Sequence, residues 1–273
     1  MDTTQEDSYE QLVQDVRASY RKKKLDSSHA IKTDKELVWC EECQEINLWT
    51  YWQGRGNRKA KIVLMGQDWG SINNDKFAMT KEKIEAMNKG YRMSYIGPDM
   101  FATDKNLLKL FSVLGYDDLY RDNEDLFFDN LALGYRQGNT SGDFRKEWAT
   151  RDGDFQIRLM KLLQPQIIIC LGKDTYINCI KIMLNKDINI SNFNEALSAP
   201  EGLYEDIKLT DGPLQGWTVC RIYGVAHCGT LGSNNRVRGN DKNEISGMEA
   251  QIKDWEKIKR YMNQINLLPA KSR

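Results

Sequence analysis

Three polar side chains of different chemical type follow or end apolar runs of this 273-residue chain, namely Asp68, Asn130 and His227. A carboxylate can stabilise a developing cation or orient water, and an imidazole can stabilise a developing anion. A primary amide both donates and accepts hydrogen bonds, so it can read a partner of complementary pattern. His227 is one of only two histidines. An acid, an amide and a histidine that meet would be the strongest functional signal in the chain.

The elements that must position these residues alternate between strands and helices. Strands are predicted at 61–66, 126–133, 166–172 and 216–227, and helices at 5–24, 103–115, 154–165, 173–185 and about 246–266. Strands that alternate with helices of this length form a parallel sheet covered on both faces. We therefore predict an α/β fold, a three-layer α/β/α sandwich around a central, mostly parallel, four-stranded sheet.

Ligands bind at the carboxyl ends of the strands in open parallel sheets. The residues just after each predicted strand should therefore share one rim. They are Gln67, Asp68 and Trp69 after the first strand, Asn130 near the end of the second, Gly172 and Lys173 after the third, and His227 after the fourth.

The overall composition indicates the class of protein but does not indicate a binding partner. Lys plus Arg and Asp plus Glu are equal at 39 each, so net charge neither indicates nor excludes a nucleic acid. The chain has no run of 18 apolar residues and begins with a polar, acidic segment. We therefore expect no membrane span and no secretory signal, and hence a cytoplasmic protein with reduced thiols. We also expect a monomer.

Two segments resemble the signature segments of the uracil-DNA glycosylase superfamily. They are "GQDWG" at 66–70 and "AHCGTLGSNNRVRG" at 226–239. Gly-Gln-Asp matches the first signature, while His227 and Leu231 match the second at the same four-residue spacing. The segments "FFDNLALGYRQGN" and "QPQIIICLGKDTY" resemble two further family elements, and the resemblance covers residues 60 to about 262. The chain departs from the best-known branch at Trp69, at Gly70 and at the three residues after His227.

The resemblance implies a monofunctional DNA glycosylase, an enzyme that hydrolyses the N-glycosidic bond of uracil or a related damaged base in DNA. Asp68 would lie under the sugar, stabilise its positive charge and orient water. His227 would donate a hydrogen bond to the base oxygen on which negative charge grows. Asn130 would pair with the edge of the base, assisted by backbone N–H groups at Gln67.

The same resemblance assigns residues that hold the flipped base and the DNA. Phe101 is the candidate to stack on the base, with Tyr95 as the alternative. Leu231 would fill the gap left in the base stack. The side chains expected to contact phosphates are Arg236 and Arg238. The strict uracil enzymes carry a tyrosine at the position of Gly70, so the exclusion of thymine would pass to Trp69 or the pocket would admit a bulkier base.

An iron–sulfur branch of the superfamily holds its cluster with four cysteines, the first two spaced as Cys40 and Cys43 are here. The segments that carry the other two contain no cysteine. Two thiolates cannot complete such a cluster, so we expect no metal and no cofactor. We divide the chain into an N-terminal helical extension, 1–59, and a glycosylase-like domain, 60–273.

Two other interpretations stay open at this point. The chain could be a non-catalytic or differently specialised nucleic-acid-binding member of the same superfamily, because the residues around the histidine are altered. It could also be an unrelated α/β protein that binds a nucleotide at the same rim. The second interpretation has less support, because no phosphate-binding glycine loop of the known patterns follows a strand.

Overall fold

A computed structural model gives the architecture of residues 3–26, 37–39, 43–47, 57–70, 81–89, 102–119, 124–136, 146–207, 220–236, 245–267 and 269. The helices are α1 (Thr3–Asp26), α2 (Lys81–Asn88), α3 (Ala102–Leu114), α4 (Lys146–Leu163), α5 (Lys173–Leu184), α6 (Phe193–Ser198), α7 (Thr230–Asn235) and α8 (Gly247–Gln264). The strands are β1 (Leu37–Val38), β2 (Ile62–Gly66), β3 (Leu126–Asn130), β4 (Tyr135–Arg136), β5 (Ile167–Leu171), β6 (Leu203–Ile207) and β7 (Cys220–Val225).

The main sheet has five strands in the order β3-β2-β5-β7-β6. Its first four strands are mutually parallel, and β6 joins β7 antiparallel. All residues of β2, β3 and β5 are buried, as expected for parallel strands covered on both faces. The mixed α/β class and the four predicted strands are confirmed.

The prediction of four strands in this sheet was wrong, because β6 adds a fifth. Four of the five β6 residues are only half-buried, and two of them are the acids Glu205 and Asp206. This strand lies at the edge of the sheet, where one side can remain polar. The sequence therefore lacks the apolar run that marks the buried strands. A separate two-stranded ladder pairs β1 with β4 antiparallel.

Alternate residues of the buried strands supply two cores, one on each face of the sheet. Val63 and Met65 of β2 pack on the side of α1, α4 and α5, whereas Ile62 and Leu64 pack on the side of α3 and α8. Helix α8 begins with a capping box, in which Ser246 and Glu249 each bond the other's backbone N–H. Because helices cover both faces, the described strand ends are the place where polar groups can meet.

Helix α1 belongs to the first of these cores. The helix predicted at 5–24 is confirmed, and its apolar residues Tyr9, Leu12, Val13, Val16 and Tyr20 are all buried. The Tyr20 hydroxyl donates to Asp152 Oδ2 at 2.7 Å, and the same oxygen accepts the N–H of Leu133 at 2.8 Å. The helix is thus joined by polar bonds to α4 and to the segment after β3. The proposed division of the chain at residue 60 stays a prediction.

Within the described ranges, no helix combines the length and apolar character that crossing a bilayer requires. The cytoplasmic location and the monomeric state stay predictions.

The contact between α1 and the segment after β3 leaves no room for a side chain at Gly134. A Cβ there would lie 2.8 Å from Cζ and from the hydroxyl oxygen of Tyr20. We expect Gly134→Ala to lower the free energy of unfolding by about 1–3 kcal/mol, the usual cost of overpacking. Urea denaturation of the whole chain measures it.

Gly153→Ala is the matched control, because Gly153 is also a buried glycine and follows Asp152, the residue that bonds Tyr20 of α1. Its added Cβ would lie 3.5 Å from Ile182, an ordinary contact, and alanine favours a helix by about 0.5–1 kcal/mol. We expect this variant to be as stable as the parent or more so. Equal stabilities of the two variants would contradict the close packing of α1 against Gly134.

Candidate active site

Hydrogen bonds beyond the ends of β2 and β3 bring the first two predicted site segments together. The N–H of Leu131 donates to the carbonyl of Gly66 at 3.0 Å, and the N–H of Ala132 donates to that of Gln67 at 3.1 Å. The half-buried Gln67 therefore lies against the residues that follow Asn130. This extension of the ladder forms one side of the rim.

Asp68 closes a tight turn at the end of β2. Its Oδ1 accepts the N–H of Gly70 at 2.9 Å, the side-chain-to-backbone bond of an Asx turn. Gly70 has a φ of 74°, which is in the left-handed region that glycine adopts without strain. The resemblance suggested that Gly70 leaves space where the strict uracil enzymes carry a tyrosine. The positive φ is a second reason for a glycine at this position.

Arg136 holds the Asp68 carboxylate, and sequence reasoning missed this residue. The Arg136 Nε donates to Oδ1 at 2.9 Å and its Nη2 donates to Oδ2 at 2.7 Å. Both side chains are nearly buried, with 8% exposed for arginine and 7% for aspartate. A planar guanidinium matches a carboxylate in this two-pronged way, so the pair has a fixed geometry. Arg136 and Asp68 are 68 residues apart, so no local sequence pattern indicates that they pair.

His227 follows β7 and stands exposed at the same rim. Its Nδ1 accepts the N–H of Gly229 at 2.9 Å. In the neutral imidazole the proton is then on Nε2, which becomes a hydrogen-bond donor. Desolvation lowers the pKa of His227 below its ordinary value, and the nearby negative charge of Asp68 acts in the opposite direction. The net direction favours the neutral imidazole, with Asp68 as an electrostatic neighbour.

Two amide side chains from neighbouring helices hold the turn that carries His227. Asn106 of α3 donates to the carbonyl of Cys228 at 2.7 Å and to the Ser233 hydroxyl at 3.2 Å. Gln251 of α8 donates to the carbonyl of His227 at 3.2 Å and to the same hydroxyl at 3.1 Å. These bonds connect the turn to two helices on one face of the sheet. They are positioning contacts that the sequence did not reveal.

Asn130 is buried at the end of β3, with its side chain over the backbone of Gly66. A Cβ added to Gly66 would collide with Asn130 Oδ1. The Nδ2 of Asn130 is buried and has no hydrogen-bond partner within the described part of the chain. A buried donor of this kind normally has an acceptor, so it is suited to a ligand oxygen. The neighbouring Asp129 is fully buried, and burial raises its pKa well above the usual range.

Trp69 packs inward from the turn that contains Asp68. Its ring lies 5.2 Å from the Tyr135 ring, centroid to centroid. The Tyr135 hydroxyl donates to Cys43 Sγ at 3.6 Å, and that thiol donates to the Glu45 carbonyl at 2.9 Å. Burial raises the pKa of Cys43 to about 11, which disfavours the thiolate. Cys43 is thus a packed thiol beneath the site, while Cys40 lies outside the described residues.

Leu231 and Arg236, both predicted to contact DNA, have opposite environments. Leu231 is 79% exposed on the first turn of α7, the one large hydrophobic side chain so exposed among the described residues. Arg236 is 1% exposed, and its Nε and Nη2 donate to Asp254 at 2.6 and 2.9 Å. Arg236 is therefore not at the surface where a phosphate contact would need it, because it joins the end of α7 to α8. Phe101, Tyr95 and Arg238 lie outside the described residues.

The other described features do not add ligands at this rim. No group of three or more His, Cys, Asp or Glu side chains in the described ranges could hold a metal ion. A groove of about 470 Å³ lies between α4 and α5 and is lined by Thr150, Gly153, Asp154, Ile157, Lys181, Ile182 and Asn185. It lies toward the C-terminal end of α5, whereas the rim is at the N-terminal end of that helix.

The electrostatic contact between Asp68 and His227 can be measured directly. We expect the pKa of His227 to lie below its ordinary value and to fall further in Asp68→Asn, because the charge that raises it is removed. Asp154→Asn removes an exposed carboxylate from the distant groove, so it should leave the value unchanged. NMR titration of the two imidazoles, assigned with His227→Gln, measures these values. An unchanged pKa in Asp68→Asn would mean that the two side chains do not meet in solution.

No protein-family model matches the chain, and no curated protein does. The function is therefore inferred from the residues at the rim, which are an oriented carboxylate, an imidazole donor and a buried amide donor.

Proposed function

We propose that the chain is a DNA glycosylase that hydrolyses the N-glycosidic bond of uracil or a related damaged base in DNA. One observation carries the proposal. His227 accepts a backbone N–H at Nδ1 and therefore presents Nε2–H as a donor, on the rim that also holds Asp68. A neutral donor and a carboxylate on one rim suit a reaction that develops negative charge on a leaving base and positive charge on a sugar.

The roles of the remaining rim residues follow from their environments. The unpartnered Nδ2 of Asn130 is a donor for a carbonyl oxygen on the edge of the base. Asp68 faces the sugar and orients the water that attacks it. The exposed Leu231 enters the base stack when the nucleotide is flipped out. Arg236 supports the end of α7 and has no direct part in DNA binding.

A second candidate function is nucleic-acid binding without catalysis. The observation that favours it is the ion pair, since Arg136 engages both oxygens of Asp68. A paired carboxylate offers less charge to a cationic sugar than an unpaired one. In that case the rim would still bind a flipped base, with no bond cleaved.

Single-turnover release of base from an oligonucleotide that contains one uracil distinguishes the two candidates. We expect the parent to release uracil and Asp68→Asn to be slower by at least about a hundredfold, the typical loss when one such group is removed. Asp154→Asn is the charge-matched control and should keep the parental rate. Binding of the oligonucleotide without release by the parent would favour the second candidate, or a bulkier base as substrate.

The role of Leu231 is tested by comparing substrates of different strandedness. We expect Leu231→Ala to slow release from a duplex by roughly tenfold or more, because nothing then fills the gap left by the flipped base. Release from a single-stranded oligonucleotide should change much less, since there is no paired stack to refill. An equal loss on both substrates would show that this side chain does not act in the stack. Leu231→Met, which keeps an apolar side chain of similar size, is the conservative control.

A further inference from the structure

The Asp68 carboxylate is held by three described donors, and they are distributed unequally between its oxygens. Oδ1 accepts from Gly70 N at 2.9 Å and from Arg136 Nε at 2.9 Å. Oδ2 accepts only from Arg136 Nη2, at 2.7 Å, among the described residues. Each carboxylate oxygen can accept about two hydrogen bonds. Oδ1 is therefore filled, and Oδ2 retains one site.

We propose that Arg136 is the positioning residue of this site. It orients the Asp68 carboxylate so that the remaining lone pair of Oδ2 binds the attacking water. The inference rests on the proposed glycosylase function. In the reaction, the water oxygen forms the new bond to C1′ and the electron pair of the N-glycosidic bond leaves with the base. The water loses one proton to solvent, and solvent returns a proton to the departed base anion. The base anion receives its hydrogen bond from His227. Arg136 itself touches neither the sugar nor the base.

Three contacts from different parts of the chain fix Arg136 in this position. Its N–H donates to the Gly70 carbonyl at 2.6 Å, which closes a second bond on the Asp68 turn. Its guanidinium carbon lies 5.1 Å from the centroid of the Trp148 ring of α4. In β4, Arg136 itself pairs with Leu37 of β1. Strand β1 thus lies beside the residue that holds Asp68.

Asp68 was given two roles, to stabilise the sugar cation and to orient the water. The ion pair with Arg136 affects these two roles differently. A guanidinium 2.7 Å from the carboxylate cancels most of its field at longer range, because the pair is neutral overall. Stabilisation of the sugar cation by the charge of Asp68 is weakened accordingly. Hydrogen bonding to a water is retained, because it depends on the direction of a lone pair. The geometry therefore favours Asp68 as a residue that orients water.

The test compares two arginines that make the same kind of pair. Arg221 also donates through Nε and Nη2 to one carboxylate, Asp206, but at the far edge of the sheet. In the full chain we expect Arg136→Ala to lower kcat for uracil release by about a hundredfold, as a misplaced reactant does, with KM nearly unchanged. Arg221→Ala should keep the parental kcat. Equal effects of the two substitutions, or a parental kcat in Arg136→Ala, would overturn the inference.

Two further readouts separate positioning from a loss of folding. Added guanidinium should restore activity to Arg136→Ala, whereas ammonium at the same concentration should not, because only guanidinium has the planar fork. Arg136→Lys keeps the charge without the fork and should remain slower than the parent with an unchanged KM. Restoration by ammonium, or a fully active lysine variant, would show that charge alone is needed.

The NMR titration of His227 tests the same pair without any enzymatic assay. Removal of the Arg136 charge in Arg136→Gln leaves Asp68 uncompensated, so the pKa of His227 should rise above that of the parent. An unchanged value would mean that the pair does not exist in solution, and the inference would fail although the proposed function could stand. A parent that releases no base would instead overturn the proposed function, and the water-orienting role with it.

Discussion

The parallel ladder of β3, β2, β5 and β7 is the constraint on which the rest of the molecule depends. Its strands are short and buried, and their backbone groups are satisfied by one another. Helices cover both faces, so the strand ends are where polar side chains can remain accessible to a ligand. The carboxyl ends of the four strands lie at one rim, which carries the carboxylate of Asp68, the amide of Asn130 and the imidazole of His227.

The rim turns have little regular secondary structure. Hydrogen bonds to their backbone groups hold them in position instead. Asp68 closes its own turn on Gly70, and Arg136 closes the turn from the other side. Asn106 and Gln251 do the same for the turn after β7. Arg136, Asn106 and Gln251 each come from an element other than the turn that they fix. The geometry of the site therefore depends on the assembled fold and would not persist in the isolated turns.

Residues with a local signal could be predicted from the sequence. The runs of β2 and β5 are apolar at nearly every position, and α1 repeats its apolar residues at helical spacing. The end of each strand then placed Asp68 and His227 on one rim. The edge strand Leu203–Ile207 was missed because its residues are half-buried and partly charged, which gives no clear period.

Partners that are distant in sequence could not be predicted in this way. Arg136 is 68 residues from Asp68, and nothing near either residue indicates the ion pair. Arg236 was expected to contact phosphates because it lies in the segment 226–239 that resembles a family signature. Its environment is set instead by Asp254, a residue on another helix that a local pattern does not include. Burial of a charge is decided by the assembled structure, so charge type alone is a poor guide to exposure.

Gly70 links two properties of the site that could otherwise change separately. Its positive φ lets its N–H reach Asp68 while its carbonyl accepts from Arg136. Any larger side chain here would strain the backbone that orients the carboxylate, whatever room it found at the rim. In the glycosylase proposed above, selectivity and the geometry of the carboxylate would thus share a single residue. A change in the range of accepted bases would then have to come from residues outside this turn.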